Sequence, residues 1–395
     1  MRSLLSLCGV LIGMMAVSAA EPESVWLEDT PQPLPIEAPH RDEVLSAMRR
    51  GQQFLLDTQN DNGSWGSATS TKELNIYAPI PGAHHAFRAA VTSLAISALQ
   101  RTPTPPDFEK ETREAVALAE QWLLSELPKV RRANRDAIYN VWAHAFSIEA
   151  MCDLIDLHEA EGKPTDELRA AINEQITMLQ KYEAVDSGWG YYDFRAHTQR
   201  PNASPTSFTT ATILIALKKA EEHGIEVPRR LVDRGMTILR RMQKPDFTYY
   251  YSYGGATKDQ PMRSINRPGG SLGRSQACNL ALHEWGDPAI TQRVLEVWLD
   301  RLFARNLWLD MGRKRPIPHE SHFLVAGYFF YYGHWYGARC IPELPADMQQ
   351  PHKDQMARLM VDLQERDGSW WDYPFYAYHQ EYGTAMALMT LAHCL

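Results

Sequence analysis

The chain has 395 residues, 44% of them hydrophobic and 22% charged, with 40 basic against 48 acidic side chains and a formal net charge of −8. That much apolar material supports a sizeable core and excludes a disordered, collagen-like or coiled-coil rod. An acidic balance with no basic stripe argues against nucleic acid as a partner.

The chain opens with Arg2, an apolar run from Leu4 to Val17, and the small residues Ser18, Ala19 and Ala20. This is the pattern of an export signal over 1–20, and its apolar run is short for a bilayer span. The expectation is a periplasmic or extracellular protein with no integral membrane segment after cleavage. Residues 21–40, rich in Pro and acid, predict a flexible or extended leader.

From there an amphipathic segment over 42–58 is followed by an apolar one, rich in small residues, over 85–99. The alternation recurs at 107–127 and 137–157, 165–181 and 206–221, 228–242 and 272–285, 288–307 and 319–336, and 351–363 and 381–395. A helix with one apolar stripe lies at a surface, and one apolar nearly all round is buried on every side. Six such pairs, with almost no strand-like alternation, predict an all-α, α/α toroid over 41–395. Outer helices would ring buried inner ones around a central cavity.

Similar punctuation follows the outer segments. Gln59 precedes Asn62-Gly63-Ser64-Trp65, Gln180 precedes Ser187-Gly188-Trp189, Gln243 precedes Tyr249, and Gln364 precedes Asp367-Gly368-Ser369-Trp370. The glutamines are 121, 63 and 121 positions apart, so a unit of about sixty residues fits every gap. We read these residues as structural staples. The amide satisfies groups orphaned at a helix end, and the indole covers the junction between repeats.

This Gln…Gly-x-Trp element resembles the QW motif of the squalene/oxidosqualene cyclase and protein prenyltransferase β-subunit superfamily, most closely over 50–65. The resemblance implies the toroid, with a cavity lined by inner-helix N-termini and the loops before them. The cyclases of that superfamily protonate an alkene with a DxDD motif, which this chain lacks. The prenyltransferases hold zinc with an Asp, a Cys two residues later and a distant His. Cys278 and His379 have a comparable layout, but residue 276 is Gln. No metal and no other cofactor is therefore expected.

The loops feeding the inner helices carry polar and aromatic residues. His85, Arg88, Tyr139, Tyr192, Tyr251 and Arg274 are candidate ligand-binding residues, since a buried arginine wants an anionic partner and tyrosines stack on rings or chains. Glu320, His322, His379, Glu381 and Tyr382 are candidate catalytic residues, because acid–base work needs groups whose pKa burial can tune. A glycosidase would want two facing carboxylates. Asp193, Glu320, Glu381 and Asp372 are available, with no visible pairing.

Three function classes follow: a divergent isoprenoid-type enzyme, a binding or scaffold module, and a carbohydrate-active enzyme, lyase more than hydrolase. The partner would be a small molecule, lipid or oligosaccharide in the cavity, or a protein. A deep apolar pocket favours lipid, an open polar cleft sugar, and a plugged centre a scaffold. Four cysteines follow the export signal, and Cys340 and Cys394, on neighbouring inner helices, are a candidate disulfide.

Overall fold

The computed structural model describes residues 27–28, 30–73, 82–193, 201, 205–256, 264–319 and 325–395. The export-signal segment 1–20, the first part of the leader, and Glu320 and His322 lie outside the described residues.

Twelve main helices alternate between two rings. The outer ones are α1 (Arg41–Asp57), α3 (Glu109–Glu126), α5 (Asp166–Tyr182), α7 (Arg229–Met242), α9 (Gln292–Ala304) and α11 (Ala346–Asp362). The inner ones are α2 (Ala83–Arg101), α4 (Asn140–Ala160), α6 (Ser207–Glu222), α8 (Pro268–Glu284), α10 (Phe330–Cys340) and α12 (His379–Cys394). Each inner helix packs on the next, and α12 packs on α2, closing the ring. The described residues contain only isolated β-bridges, and no described helix is long and apolar enough to cross a membrane.

Periodicity explains the two classes. In α7, Leu231, Val232, Met236, Ile238, Leu239 and Met242 are buried, and the arginines between them face outward. In α4 every residue from Ala143 to Ile155 is buried. Such a helix is enclosed by its outer partners, two inner neighbours and the ring interior. The described part of the leader is extended and lies against the outer helices, where Leu27 and Leu34 accept hydrogen bonds from Arg293 of α9 and Gln355 of α11.

Two boundaries differ from expectation. The fifth inner helix starts at Phe330, after a single 3-10 turn, rather than near 319. His319 has a φ of 57°, which no α-helix accommodates. The sixth outer helix starts at Ala346 and carries Pro351 inside it rather than at its first turn.

The repeat motif joins neighbouring outer helices. Gln59 Nε2 donates to Gly63 O and to Ala115 O on α3, and Gln364 Nε2 donates to Gly368 O and to Ala47 O on α1. Trp65, Trp189 and Trp370 are fully buried. Each indole N–H donates to the carbonyl ten residues earlier, Leu55, Leu179 and Met360. Each Trp amide also donates to a threonine of the following inner helix, Thr92, Thr210 or Thr384. An indole buried this way contributes roughly 3 kcal/mol or more relative to alanine.

The same register corrects one residue. Gln180 is exposed; the position equivalent to Gln59 is Glu183, which accepts from Arg234 Nε at 2.6 Å and so joins α5 to α7 by a charged pair. In the fourth copy Gln243 donates to the hydroxyl of Tyr249, which takes the tryptophan's place. One turn residue is left-handed in all four copies: Gly63 (φ 90°), Ser187 (80°), Phe247 (59°) and Gly368 (89°). Glycine suits it doubly at 368, where a Cβ would lie 2.6 Å from Arg50 O.

The C-terminal halves of the inner helices are joined by a buried ionic network. Arg101 pairs with Asp153 and Glu149, Lys219 with Asp153, and Arg339 with Glu149 and Glu284. Burial pushes Asp153 up, but Arg101 and Lys219 outweigh it and hold the carboxyl down to about 2. Burial wins at Glu284, which rises to about 7 despite Arg339.

The candidate disulfide does not form. Cys152, Cys278, Cys340 and Cys394 are all free. Cys340 and Cys394 each donate to the carbonyl one turn back on their own helix, Tyr336 and Thr390.

Candidate functional site

The N-terminal halves of five of the inner helices, all but α8, with loops between helices, surround a partly open central cavity of about 460 Å³. Its wall is mostly aromatic. Phe87 comes from α2, Trp142 and Phe146 from α4, Phe208 from α6, Tyr332 from α10 and Tyr382 from α12, and Tyr139, Tyr191, Tyr192, Tyr251, Tyr373 and Tyr378 come from the loops. The rings brace one another. Trp142 stacks on Phe146 and Phe208 at 5.9 and 6.0 Å, and Phe208 meets Tyr251 and Phe329 edge-on at 5.0 and 4.9 Å. Burial holds the phenols of Tyr191, Tyr251, Tyr328, Tyr332 and Tyr382 above their ordinary range, so they remain hydrogen-bond donors.

Several candidates line this space. Tyr139 and Tyr192 hydrogen-bond hydroxyl to hydroxyl, and Tyr251 does the same with Tyr191. Tyr382 sits one turn into α12. His379 begins that helix with Nδ1 2.7 Å from the Tyr376 carbonyl. A carbonyl only accepts, so Nδ1 carries the proton and Nε2 is the free acceptor. Burial lowers the pKa of this imidazole and favours its neutral form.

Other candidates are placed elsewhere. His85 Nε2 faces Glu126 at the end of α3, 3.1 Å from its carbonyl oxygen. Arg88 is not part of the wall, but its charge acts on the hydroxyl of Tyr378, which is and which donates to the His84 carbonyl. Glu381 is pushed up to about 7 by burial, yet its side chain does not line the cavity. Arg274 is fully buried behind the wall, 5.5 Å from the Tyr251 ring centre and 5.9 Å from that of Phe329. Its partners are the carbonyls of Gly270, Tyr249 and Ile265 rather than an anion.

Asp372 has the most consequential position. It lies two residues after Trp370, lines the cavity and is 1% exposed. Burial pushes its carboxyl up to about 7, although the Tyr331 amide, donating at 3.0 Å, and the Arg313 charge pull the other way. A carboxylic acid that keeps a substantial protonated fraction near neutrality is thus presented to an aromatic cavity. The sequence offered Asp372 only as half of a carboxylate pair. Its place between the repeat tryptophan and an inner helix was the available signal. Phe329 and Tyr332 were missed because the whole 329–336 run reads as buried helix.

Among the described residues no cluster of three or more His, Cys, Asp or Glu side chains could hold a metal ion. Gln276 donates to the Trp298 carbonyl, and burial raises the Cys278 thiol to about 12, so it is not a thiolate. A shallower depression of about 680 Å³ lies outside the ring among the arginines of α7, where Arg229 and Arg234 are already paired with Asp233 and Glu183.

Comparisons with known proteins agree with this architecture. A cellobiose 2-epimerase from Spirochaeta thermophila superposes with a TM-score of 0.56 at 16% identity, covering 89% of this chain and 96% of its own. An α-1,6-mannanase of Salegentibacter gives 0.53 at 10% identity, covering 89% and 98%. A type II terpene cyclase from Scytonema gives 0.50 at 14%, covering 89% and 97%. At such identities these likenesses establish the fold alone. Sequence comparison with curated proteins finds no significant match. The family model of the squalene-hopene cyclase C-terminal domain matches residues 34–258, more than half of the chain, and the protein belongs to that family.

Proposed function

We propose that this protein binds an isoprenoid-type lipid in its central cavity and presents Asp372 to it as a general acid. The observation that carries this reading is a partly open, largely aromatic cavity of about 460 Å³ with one carboxyl in its wall among the described residues. Aromatic faces suit isoprenoid chains and rings, and they stabilise positive charge developing on a ligand. A carboxyl raised to about 7 is a weak acid. It suits protonation of an oxygen, as in an epoxide or alcohol, better than that of an isolated double bond. Family membership supports the lipid class, and the pattern of residues 1–20 supports export.

A carbohydrate-active site has less support. Among the described residues Asp372 is the only carboxyl lining the cavity, where a hydrolase would use two. The test is a thermal-shift and intrinsic-fluorescence titration of the mature chain with squalene, its epoxide and farnesol, against cellobiose and mannotetraose. The lipids are expected to raise the unfolding midpoint and the sugars to leave it unchanged. Ala90→Trp, which fills the cavity, should abolish the lipid response. A shift with the sugars alone would overturn the proposal.

A further inference from the structure

One wall of the cavity differs from the rest. Tyr191, Tyr251 and Tyr328 form a continuous run of hydroxyls, with Tyr251 OH 3.3 Å from Tyr328 OH, and His319 Nε2 closes the run 2.7 Å from Tyr328 OH. All four residues line the cavity and come from three different inter-helix segments. The run is a polar strip in an otherwise apolar wall, with its hydroxyl protons shared along it.

Behind it sits Arg274, fully buried, with its guanidinium against the faces of Tyr251 and Phe329. Three backbone carbonyls accept from its terminal nitrogens, and its Nε has no partner. Among the described residues no carboxylate pairs with it. Burial lowers the pKa of nearby Lys244 and the Arg274 charge lowers it further, with Asp246 acting in the opposite direction. Among the described residues the Arg274 charge therefore has no carboxylate partner, and it lies one ring's thickness from the cavity. A buried charge without a counter-ion is costly unless a ligand completes it. Carbonyl bonding alone could be met by a neutral donor.

We infer that this wall receives the carboxylate head of an amphipathic isoprenoid acid, which accepts from the run of Tyr191, Tyr251 and Tyr328 by replacing hydrogen bonds within it, with Arg274 as the compensating charge. The inference rests on the lipid reading above and names the polar end of the ligand. A diphosphate would need several cations in direct contact, and none lines this wall. Hydrogen bonds to a charged group are about twice as strong as neutral ones, so the acid should outbind its alcohol.

The experiment compares farnesoic acid, farnesol and farnesene by tryptophan-fluorescence titration at pH 8. For the wild type the acid is expected to bind at least about tenfold more tightly than the alcohol. Tyr328→Phe, which keeps the ring, and Arg274→Gln should each reduce that ratio to under about threefold. Arg274→Lys, which keeps the charge, should retain most of it. If Arg274→Gln does not fold, the Tyr328→Phe ratio decides. Farnesol and farnesene binding as tightly as the acid would overturn the head-group inference and leave the lipid reading standing. No binding of any of the three, with a response to oligosaccharides, would remove the lipid reading itself.

Discussion

Replacing Asp372 with Asn tests the electrostatics of the cavity directly. The carboxyl has a pKa of about 7 in the fold and an ordinary value of 3.8 when exposed. Because the folded value is the higher one, the unfolded chain releases this proton first, and stability falls as pH rises between the two values. Below pH 4 the wild type suffers no penalty from this group. Between pH 4 and 7 it should lose stability relative to Asp372→Asn by about 1.4 kcal/mol per pH unit, levelling off near about 4 kcal/mol above pH 7. Asparagine fills the same volume, and its side-chain oxygen can still accept the Tyr331 N–H, so packing is held constant. Denaturant unfolding of both proteins at pH 5, 6, 7 and 8 measures the difference. Glu284 and Glu381, also raised to about 7, titrate in both and cancel. A constant gap across this range would mean that the carboxyl ionises normally in the fold, and the argument for a neutral acid in the cavity would fail.

Two further outcomes concern the scaffold. Ser187→Gly should raise stability by about 0.5–1 kcal/mol in thermal unfolding, because Ser187 holds a φ of 80° that glycine adopts freely; a lowered midpoint would refute the strain. Glu149→Gln should destabilise by about 3 kcal/mol in the same assay, since Arg101 and Arg339 both rely on that carboxylate in a buried setting. A change under about 1 kcal/mol would show the network to be redundant.

The toroid was legible in the sequence because its two helix classes differ in periodicity and its repeats end in large indoles. Legibility failed where one physical role can be filled by different residue types. Glu183 replaces a glutamine by answering Arg234 with charge, so a search for Gln slips to Gln180. Tyr249 stands in for a tryptophan, and Ser187 and Phe247 for a glycine. In the cavity, tyrosines and histidines were recognisable as wall residues because they precede inner helices. His85 turned away because helical rotation places it toward α3, two positions and about 200° before Phe87, which lines the cavity. Asp372 gave little signal because its neutrality comes from burial between segments far apart in the chain. The ionic network was invisible for the same reason, each of the five inner helices in it contributing only one or two of its charges.

The hydrogen bond from Gln364 to Ala47 joins the last outer helix to the first, as the bond from Gln59 to Ala115 joins the first to the second. In an open solenoid the end repeats contact one neighbour each, need polar caps and fray first. Here α12 packs on both α10 and α2, so the final repeat buries two interfaces when it docks. No unit has an exposed terminal face from which melting could spread. Losing any one unit breaks two junctions at once, which ties the toroid into a single cooperative transition instead of a sequence of independent ones.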